Sequence, residues 1–447
     1  MSRIAPARAC AYAALRKVFE RGAYADIALR AQAGDLDARD RALAMRLLYG
    51  AVQRRGTLDY VIERLAGRAP EQLDAPLLAA LRLGLYELLY LAGAPDHAVV
   101  ADAVELAKSG GGRGHGLVNA VLRRATREGR TLLDQLGEET PERAALAHSH
   151  PLWVARLWWE QLGAADARAL LAFDNEPGEL ALRANTLLTD APTLARELSE
   201  QQPPVQTHSD KQIPEALVVE GHFDVHGSPA WGAGSFIAQS RAAMLPARLL
   251  DPQPGERVLD LCAAPGGKST HLAALMGNRG EVVAVERNPR RVADLGRTVR
   301  RLRAECVRVV HADAAKPLEG EAPFDRVLVD PPCSGLGTLQ ARADLRWRVT
   351  EAHVQELVQA QARILGAGAA AVRPGGVLVY STCTISPSEN ERQILTFLEA
   401  NPDFALDDLG LAGGAGLGSR LMQGAALMTL PHRDRTAGFF IARLRRA

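Results

Sequence analysis

The sequence predicts a chain in three parts: an all-α bundle over residues 1–140, a small mixed α/β region over 141–235, and a larger α/β domain over 236–447 built on a parallel sheet. Three observations carry this. Apolar residues at helical spacing fill the first part without an intervening strand-like run. The stretch from Pro141 to Pro151 marks a boundary, after which short helical and extended runs alternate. From about residue 236, five short β-rich runs recur: RVLDL (257–261), EVVAVE (281–286), VRVVHAD (307–313), FDRVLVD (324–330) and GGVLVYSTC (375–383). The intervals between the first four leave room for a helix in two places. Such alternation describes a parallel sheet covered by helices, with ligands at the carboxyl ends of the strands.

In the first part, Leu77, Leu81, Leu85, Leu88 and Leu89 recur at helical spacing, with Arg82 and Glu87 between them. Another helix runs from Val99 to Lys108 and stops at the glycines 110–112. A third carries Val118, Val121 and Leu122 on one face beside Arg123, Arg124 and Arg127. Beyond the boundary, HPLWVARLWWEQLG (150–163) opens a helix. It is followed by a strand in LALRANTL (180–187), a helix at Thr193 to Ser199, a turn-rich stretch at 202–214 and a strand in ALVVEG (216–221), ending near Gly234. The glycine-rich 413–418 is read as a loop.

At 447 residues, with 47% hydrophobic and 23% charged residues, the composition is that of a soluble globular protein of two or three domains. The amino terminus has no apolar run free of arginine, so no secretory signal is expected. Nor is there a stretch of roughly 20 uncharged apolar residues of the kind a membrane span needs. A cytoplasmic protein without a membrane partner is expected. The five cysteines at 10, 262, 306, 333 and 383 form no C-x-x-C pair, which argues against a zinc site and a disulfide framework, and no metal is expected. Net charge is only +1, yet eight arginines crowd residues 287–308. On charge alone this is a solvated helix face before it is an RNA-facing surface. Only five lysines occur, and one of them, Lys268, lies inside a glycine-rich turn.

That turn follows the first strand: Asp260, Leu261, Cys262, Ala263, Ala264, Pro265, Gly266, Gly267, Lys268. Small residues and paired glycines after a strand let a ligand approach the backbone at a helix start. A phosphate-binding loop would need a glycine where Cys262 stands, and the G-x-G-x-x-G of a dinucleotide site is absent. The remaining candidate is S-adenosyl-L-methionine, which carries no phosphate. Glu286 at the end of the second strand would accept ribose hydroxyls, and Asp313 after the third would take an adenine amino group. Either acid alone is an ordinary strand-end solubiliser; together, after this loop, they indicate a site.

Asp330-Pro331-Pro332-Cys333 closes the fourth strand, and Cys383, in Ser-Thr-Cys-Thr, closes the next. Adjacent parallel strands would bring both thiols over one cleft. A lone strand-end cysteine is usually a small buried hydrophobe; two on consecutive sheet-end turns, one after Asp-Pro-Pro, point to nucleophilic chemistry. A thiolate adding to C6 of a cytosine turns C5 into an enamine carbon able to attack a methyl sulfonium. Asp330 would hold the N3/N4 edge of the base, which must be single-stranded or flipped. The residues alone do not rank the two thiols.

DLCAAPGGKS, Glu286, HADA, DPPCSG and STCT, in this order, resemble the bacterial 16S ribosomal RNA cytosine-5 methyltransferases of the B type (RsmB, Fmu or Sun), and the likeness spans nearly the whole chain. AVELAK (103–108) and LVNAVLRR (117–124) are similar to the NusB-like RNA-binding domain of that family, and Pro431-His432-Arg433-Asp434 with GFFIARL (438–444) to its last strands. The resemblance implies a NusB-like bundle before a Rossmann-like class I methyltransferase domain. It implies Cys383 as nucleophile, Cys333 as the thiol assisting breakdown of the adduct, and residues 262–268, Glu286, Asp313 and Asp330 around S-adenosyl-L-methionine. It also implies RNA, 16S ribosomal RNA in particular, as partner, with no oligomer required. The chain departs from the family pattern at Ser240 and Ala243, and at Gln340 and Ala341, where a basic pair is common. Other readings are a tRNA cytosine-5 enzyme, a DNA cytosine-5 enzyme, for whose recognition insert there is no room, and a non-catalytic NusB-like RNA-binding factor.

Overall fold

A computed structural model describes residues 4–111, 113–221, 223–409 and 417–447. The chain packs as two units, residues 1–176 with 342–348, and residues 177–341 with 349–447. Gly112 and residues 413–416 of the glycine-rich runs lie outside the described residues.

The first unit is helical: α1 (Pro6–Arg21), α2 (Ala25–Arg30), α3 (Ala38–Gln53), α4 (Arg55–Ala66), α5 (Ala75–Tyr90), α6 (Asp96–Ser109), α7 (His115–Asp134), α8 (Pro141–Ala147) and α9 (Leu152–Phe173). Leu77, Leu81, Leu85 and Leu89 of α5 are buried with Val118, Val121 and Leu122 of α7 in one core. Arg82 and Glu87, which the spacing puts between the apolar positions, are buried too, and both are paired. Arg82 donates to both oxygens of Asp59 at 2.7 and 2.8 Å. Arg8 bridges Glu87 and Asp102 at 2.6 and 2.8 Å. A buried ion needs such a partner. In α9 the backbone breaks at Gly163, whose φ of 79° and ψ of 164° are open only to a residue without a Cβ.

The later segment 342–348 completes this unit. The guanidinium of Arg346 is fully buried and donates to the carbonyls of Gln53, Ser149 and Asp174 and to Asn175 Oδ1, at 3.0–3.2 Å. Trp347 Nε1 donates to Val52 O at 2.7 Å. By packing, α8 and α9 cluster with the helical unit.

The second unit contains two sheets. A four-stranded antiparallel sheet has the order β2-β3-β1-β4, from β1 (Ala181–Ala184), β2 (Thr207–Ser209), β3 (Ala216–Val219) and β4 (Phe236–Ala238). Helices α10 (Ala191–Ser199) and α11 (Pro229–Ala233) complete this region. Because Leu182 pairs with Ala238, the boundary expected at 235/236 falls within this sheet. After α12 (Arg241–Leu250) come β5 (Arg257–Leu261), α13 (Gly267–Leu275), β6 (Glu281–Glu286), α14 (Pro289–Arg301), β7 (Val307–His311), β8 (Phe324–Val329), α15 (Glu351–Ala371), β9 (Val372–Thr382) and α16 (Glu391–Ala400). The chain ends with β10 (Phe404–Leu406), β11 (Ser419–Leu421), β12 (Ala426–Thr429), α17 (Pro431–Asp434) and β13 (Phe439–Arg446).

The large sheet runs β11-β12-β13-β9-β8-β5-β6-β7, with β10 on β13. Strands β5 to β9 pair in parallel, and β13 joins β9 antiparallel. Successive residues alternate between two cores. Val258, Leu328 and Val379 join Leu272 and Leu295 of α13 and α14 on one face. Leu259, Val327, Val329 and Leu378 join Ile364, Leu365 and Ile394 of α15 and α16 on the other. The strand order reverses between β5 and β8. That switch point opens a crevice at the carboxyl ends, and the candidate residues gather there.

Candidate active site

Strand β5 ends in Asp260 and Leu261, and the chain turns through Cys262 to Gly266 into α13. Gly266 has a φ of +104°, and a Cβ there would lie 2.9 Å from Leu295 Cδ1, so only glycine fits both the turn and the packing. The turn is closed by Gly266 N to Ala263 O at 2.9 Å and tied to β6 by Ala263 N to Val285 O at 2.9 Å. Asp260 is buried and accepts from Ser269 Oγ at 2.5 Å; burial pushes its carboxyl up to about 7. The Cys262 thiol is pushed up to about 12 by burial and by the nearby charges of Asp330, Asp260 and Glu286. Its thiol is therefore a poor source of thiolate.

Glu286, at the end of β6, is 5% exposed. Its Oε1 accepts from Asn288 N at 2.8 Å, while Oε2 is buried without a hydrogen bond, Arg291 Nη1 lying 3.3 Å away. Asp260 Oδ1 is also buried without a hydrogen bond. An orphaned buried acceptor is costly; Asp260 Oδ1, beside a Glu286 Oε2 that has only its ion pair to Arg291, fits a ligand rich in hydroxyl and amino donors, as S-adenosylmethionine is. Asp313 lies two residues beyond β7, half-buried, its Oδ1 capping Ala315 N at 3.1 Å.

Asp330 follows β8 and is held from both sides: Lys268 Nζ donates to Oδ2 at 2.7 Å and Ser381 Oγ to Oδ1 at 2.8 Å. Burial works against the Lys268 charge, but Asp330 more than offsets it and holds the ammonium above its ordinary range. The scarce lysine of the glycine turn thus links the loop to the strand carrying the thiol. Cys333 Sγ and Cys383 Sγ lie 3.3 Å apart. The Cys333 thiol is held well above its ordinary range by its hydrogen bond to Cys383, by burial, and by the charges of Cys383, Glu389 and Asp330.

Sequence reasoning missed several residues that hold this arrangement. Arg183 of β1, fully buried, donates to Gly267 O, to Thr270 Oγ1 at 2.9 Å and to Gln239 Oε1 at 2.6 Å, so the small sheet pins the first turn of α13. Glu389, also fully buried, accepts from Ser334 N at 2.8 Å, Ser334 Oγ at 2.5 Å and Gln361 Nε2 at 3.0 Å. The only sequence signal was a polar run, Ser386 to Glu391, directly after the second thiol. Three of the eight arginines of 287–308 are tied into the protein. Arg291 donates to Ala264 O, Arg301 to the carbonyls of Trp231 and Phe236, and Arg308 pairs with Glu281 and Glu321. Among the described residues, no cluster of three or more His, Cys, Asp or Glu is arranged to hold a metal ion, and no helix is long and apolar enough to cross a membrane.

Three family models match the chain. They are 16S rRNA methyltransferase RsmB/F over residues 247–445, the NusB family over 5–127, and the ferredoxin-like domain of RsmF/B-like methyltransferases over 150–226. A probable ribosomal RNA small subunit methyltransferase B of Synechocystis is 38% identical, the alignment covering 99% of each chain. Its namesake in Bacillus subtilis is 33% identical over 98% of each. Among solved structures, PH0851 superposes with a TM-score of 0.83 at 29% identity over 99% of each chain. A methyltransferase homolog from Pyrococcus horikoshii covers 69% of this chain and 99% of its own, with a TM-score of 0.60 at 28% identity. Full-length similarity at this level, together with the loop, the strand-end acids and the paired thiols, makes the chain a member of the RsmB/F family of RNA methyltransferases.

Proposed function

We propose that the protein transfers a methyl group from S-adenosylmethionine to C5 of a cytosine in 16S ribosomal RNA through a covalent adduct between Cys383 and C6. The observation that carries this reading is the pair of thiols 3.3 Å apart at neighbouring strand ends, beside a carboxylate, Asp330, tied to Lys268. The RNA target rests on the names of full-length relatives, and residues 1–140 are assigned to docking that RNA. Residues 262–268, Glu286 and Asp313 would hold the cofactor, which when bound supplies an electrophilic methyl group on a sulfonium.

The chain's own groups do the rest. Asp330, fixed by Lys268 and Ser381, orients the N3/N4 edge of a flipped cytosine and offsets charge on its ring. The Cys383 thiolate forms the S–C6 bond, and the electron pair moves to C5, which takes the methyl group. A base then takes the C5 proton, the C–H electron pair re-forms the C5–C6 double bond, and Cys383 leaves C6 as a thiolate, a breakdown that Cys333 assists.

Denaturing gels with labelled RNA test the assignment. Cys383→Ala should abolish methylation and any covalent RNA complex. Cys333→Ala should accumulate a denaturation-resistant complex when cofactor is supplied. A trapped complex with Cys383→Ala alone would reverse the two roles. Bisulfite sequencing of ribosomal RNA from a strain lacking the gene identifies the cytosine.

A further inference from the structure

We propose that Glu389 is a positioning residue whose buried carboxylate ties the turn carrying Cys333 to the turn carrying Cys383 and lays a negative charge against Cys333. The inference relies on the two-thiol reading only for what the thiols do to RNA; the geometry and charge are independent of it.

Residues 389 and 390 tie down the neighbours of both thiols. On one side of Cys333, Ser334 gives Glu389 its backbone N–H at 2.8 Å and its hydroxyl at 2.5 Å. On the other side, Pro332 O accepts from Gln361 Nε2 at 2.9 Å, and the same amide reaches Glu389 Oε1 at 3.0 Å. Around Cys383 the pattern repeats. Thr382 Oγ1 donates to Asn390 Oδ1 at 2.6 Å, and Asn390 Nδ2 donates to Thr384 O at 3.0 Å. The two turns meet directly where Ser334 Oγ and Thr384 Oγ1 lie 2.6 Å apart. Tyr380 OH closes the network on Glu389 O at 2.7 Å.

The named donors to Glu389 are all neutral, and the residue is fully buried. Burying a carboxylate without a cation is expensive, and an amide would supply much of the same bonding more cheaply. The charge therefore has a use beyond the clamp. The charged or titratable groups acting on Cys333 are Cys383, Glu389 and Asp330, and Tyr380 in turn feels the Cys333 charge. Lys268, the nearby cation, is bonded to Asp330 and lies within electrostatic reach of Cys383. Cys333 thus faces the carboxylates of Glu389 and Asp330, and Cys383 lies within reach of the Lys268 ammonium. The ammonium favours thiolate at Cys383, the state that addition requires, and the Glu389 charge keeps Cys333 a thiol.

The experiment uses the full-length protein without RNA or cofactor. Iodoacetamide labelling of Cys333 and Cys383 is followed against pH by peptide mass spectrometry, and diamide-induced disulfide formation between them reports proximity. Cys333 should label at higher pH than Cys383. Glu389→Gln, which keeps the shape, should lower the Cys333 midpoint by about one pH unit and leave the disulfide rate within about twofold. Glu389→Ala should in addition slow disulfide formation by about tenfold or more. A Cys333 profile in Glu389→Gln that overlays the wild type overturns the proposal, whether or not the alanine variant folds. If the profile moves as expected while Cys383→Ala still methylates RNA, the proposed function fails and the role of Glu389 stands.

Discussion

Two regions share the carboxyl edge of one parallel sheet and are built by opposite means. Residues 262–268 owe their turn to backbone, with a glycine at positive φ, main-chain bonds that close it and small side chains, while Arg183 and Arg291 bond two of its carbonyls from outside. Cys333 and Cys383 follow the paired strands β8 and β9, but the turns that carry them are clamped by side chains from separate segments, Gln361 on α15 and Glu389–Asn390 before α16. A backbone-built site is compact in sequence and readable as a motif. A site clamped by side chains is scattered, and only its reacting atoms stand out.

The contrast can be tested from the cofactor side. Gly266→Ala should have the largest effect. It places a Cβ at a φ of +104° and 2.9 Å from Leu295 Cδ1, for a combined cost of about 4 kcal/mol in urea unfolding. The Cys333–Cys383 disulfide rate in the folded variant should stay near wild type. A comparable loss there would show that the two regions are one unit.

A second test uses pH. His271 on α13 is buried, its Nε2 is 2.7 Å from Glu215 Oε1, and its pKa is pushed down to about 4 by burial and then by the charge of Arg183. A base with a folded pKa below its unfolded value contributes fully above the unfolded value and loses stability as pH falls. Stability should therefore drop between pH 6.5 and about 4 by up to about 3 kcal/mol. His271→Gln should flatten that slope in urea titrations at several pH values; an unchanged slope would place its origin elsewhere.

The smallest effect is expected at Glu286. Removing one buried acceptor by Glu286→Ala should weaken S-adenosylmethionine binding in calorimetry by about 2 kcal/mol, or roughly thirtyfold. Labelling of the thiols should not change. Tight binding of a nucleoside triphosphate instead would overturn the cofactor assignment.

Much of the fold was legible because short apolar runs between glycine and proline turns have few alternatives. RVLDL and EVVAVE coincide with β5 and β6, and VRVVHAD overruns β7 by two residues, at Ala312 and Asp313. The loop and both thiols were legible because each departs from its surroundings: a lysine in a chain of arginines, a cysteine after Asp-Pro-Pro. Strand β4 was not, since three residues beside a turn carry no periodicity. Arg183 read as one more residue of a strand, and its bonds to Gly267 and Thr270 span more than 80 positions of sequence. Glu389 sat in a polar run that resembles any surface turn. Contacts of that kind arise from tertiary packing and leave no local pattern.

The segment 342–348 bears on how the protein is made. Synthesis proceeds from the amino terminus, and helices α1 to α9 emerge first. Yet the donor for Gln53 O, Ser149 O, Asp174 O and Asn175 Oδ1 is Arg346. About 170 residues must follow Glu176 before that guanidinium leaves the ribosome, on the order of ten to thirty seconds at ordinary elongation rates. During that interval the nascent helical unit lacks the donor that these acceptors share in the folded protein. The part of the protein that is translated first is thus the one whose interior closes late, and truncating the gene anywhere before residue 346 would remove that donor for good.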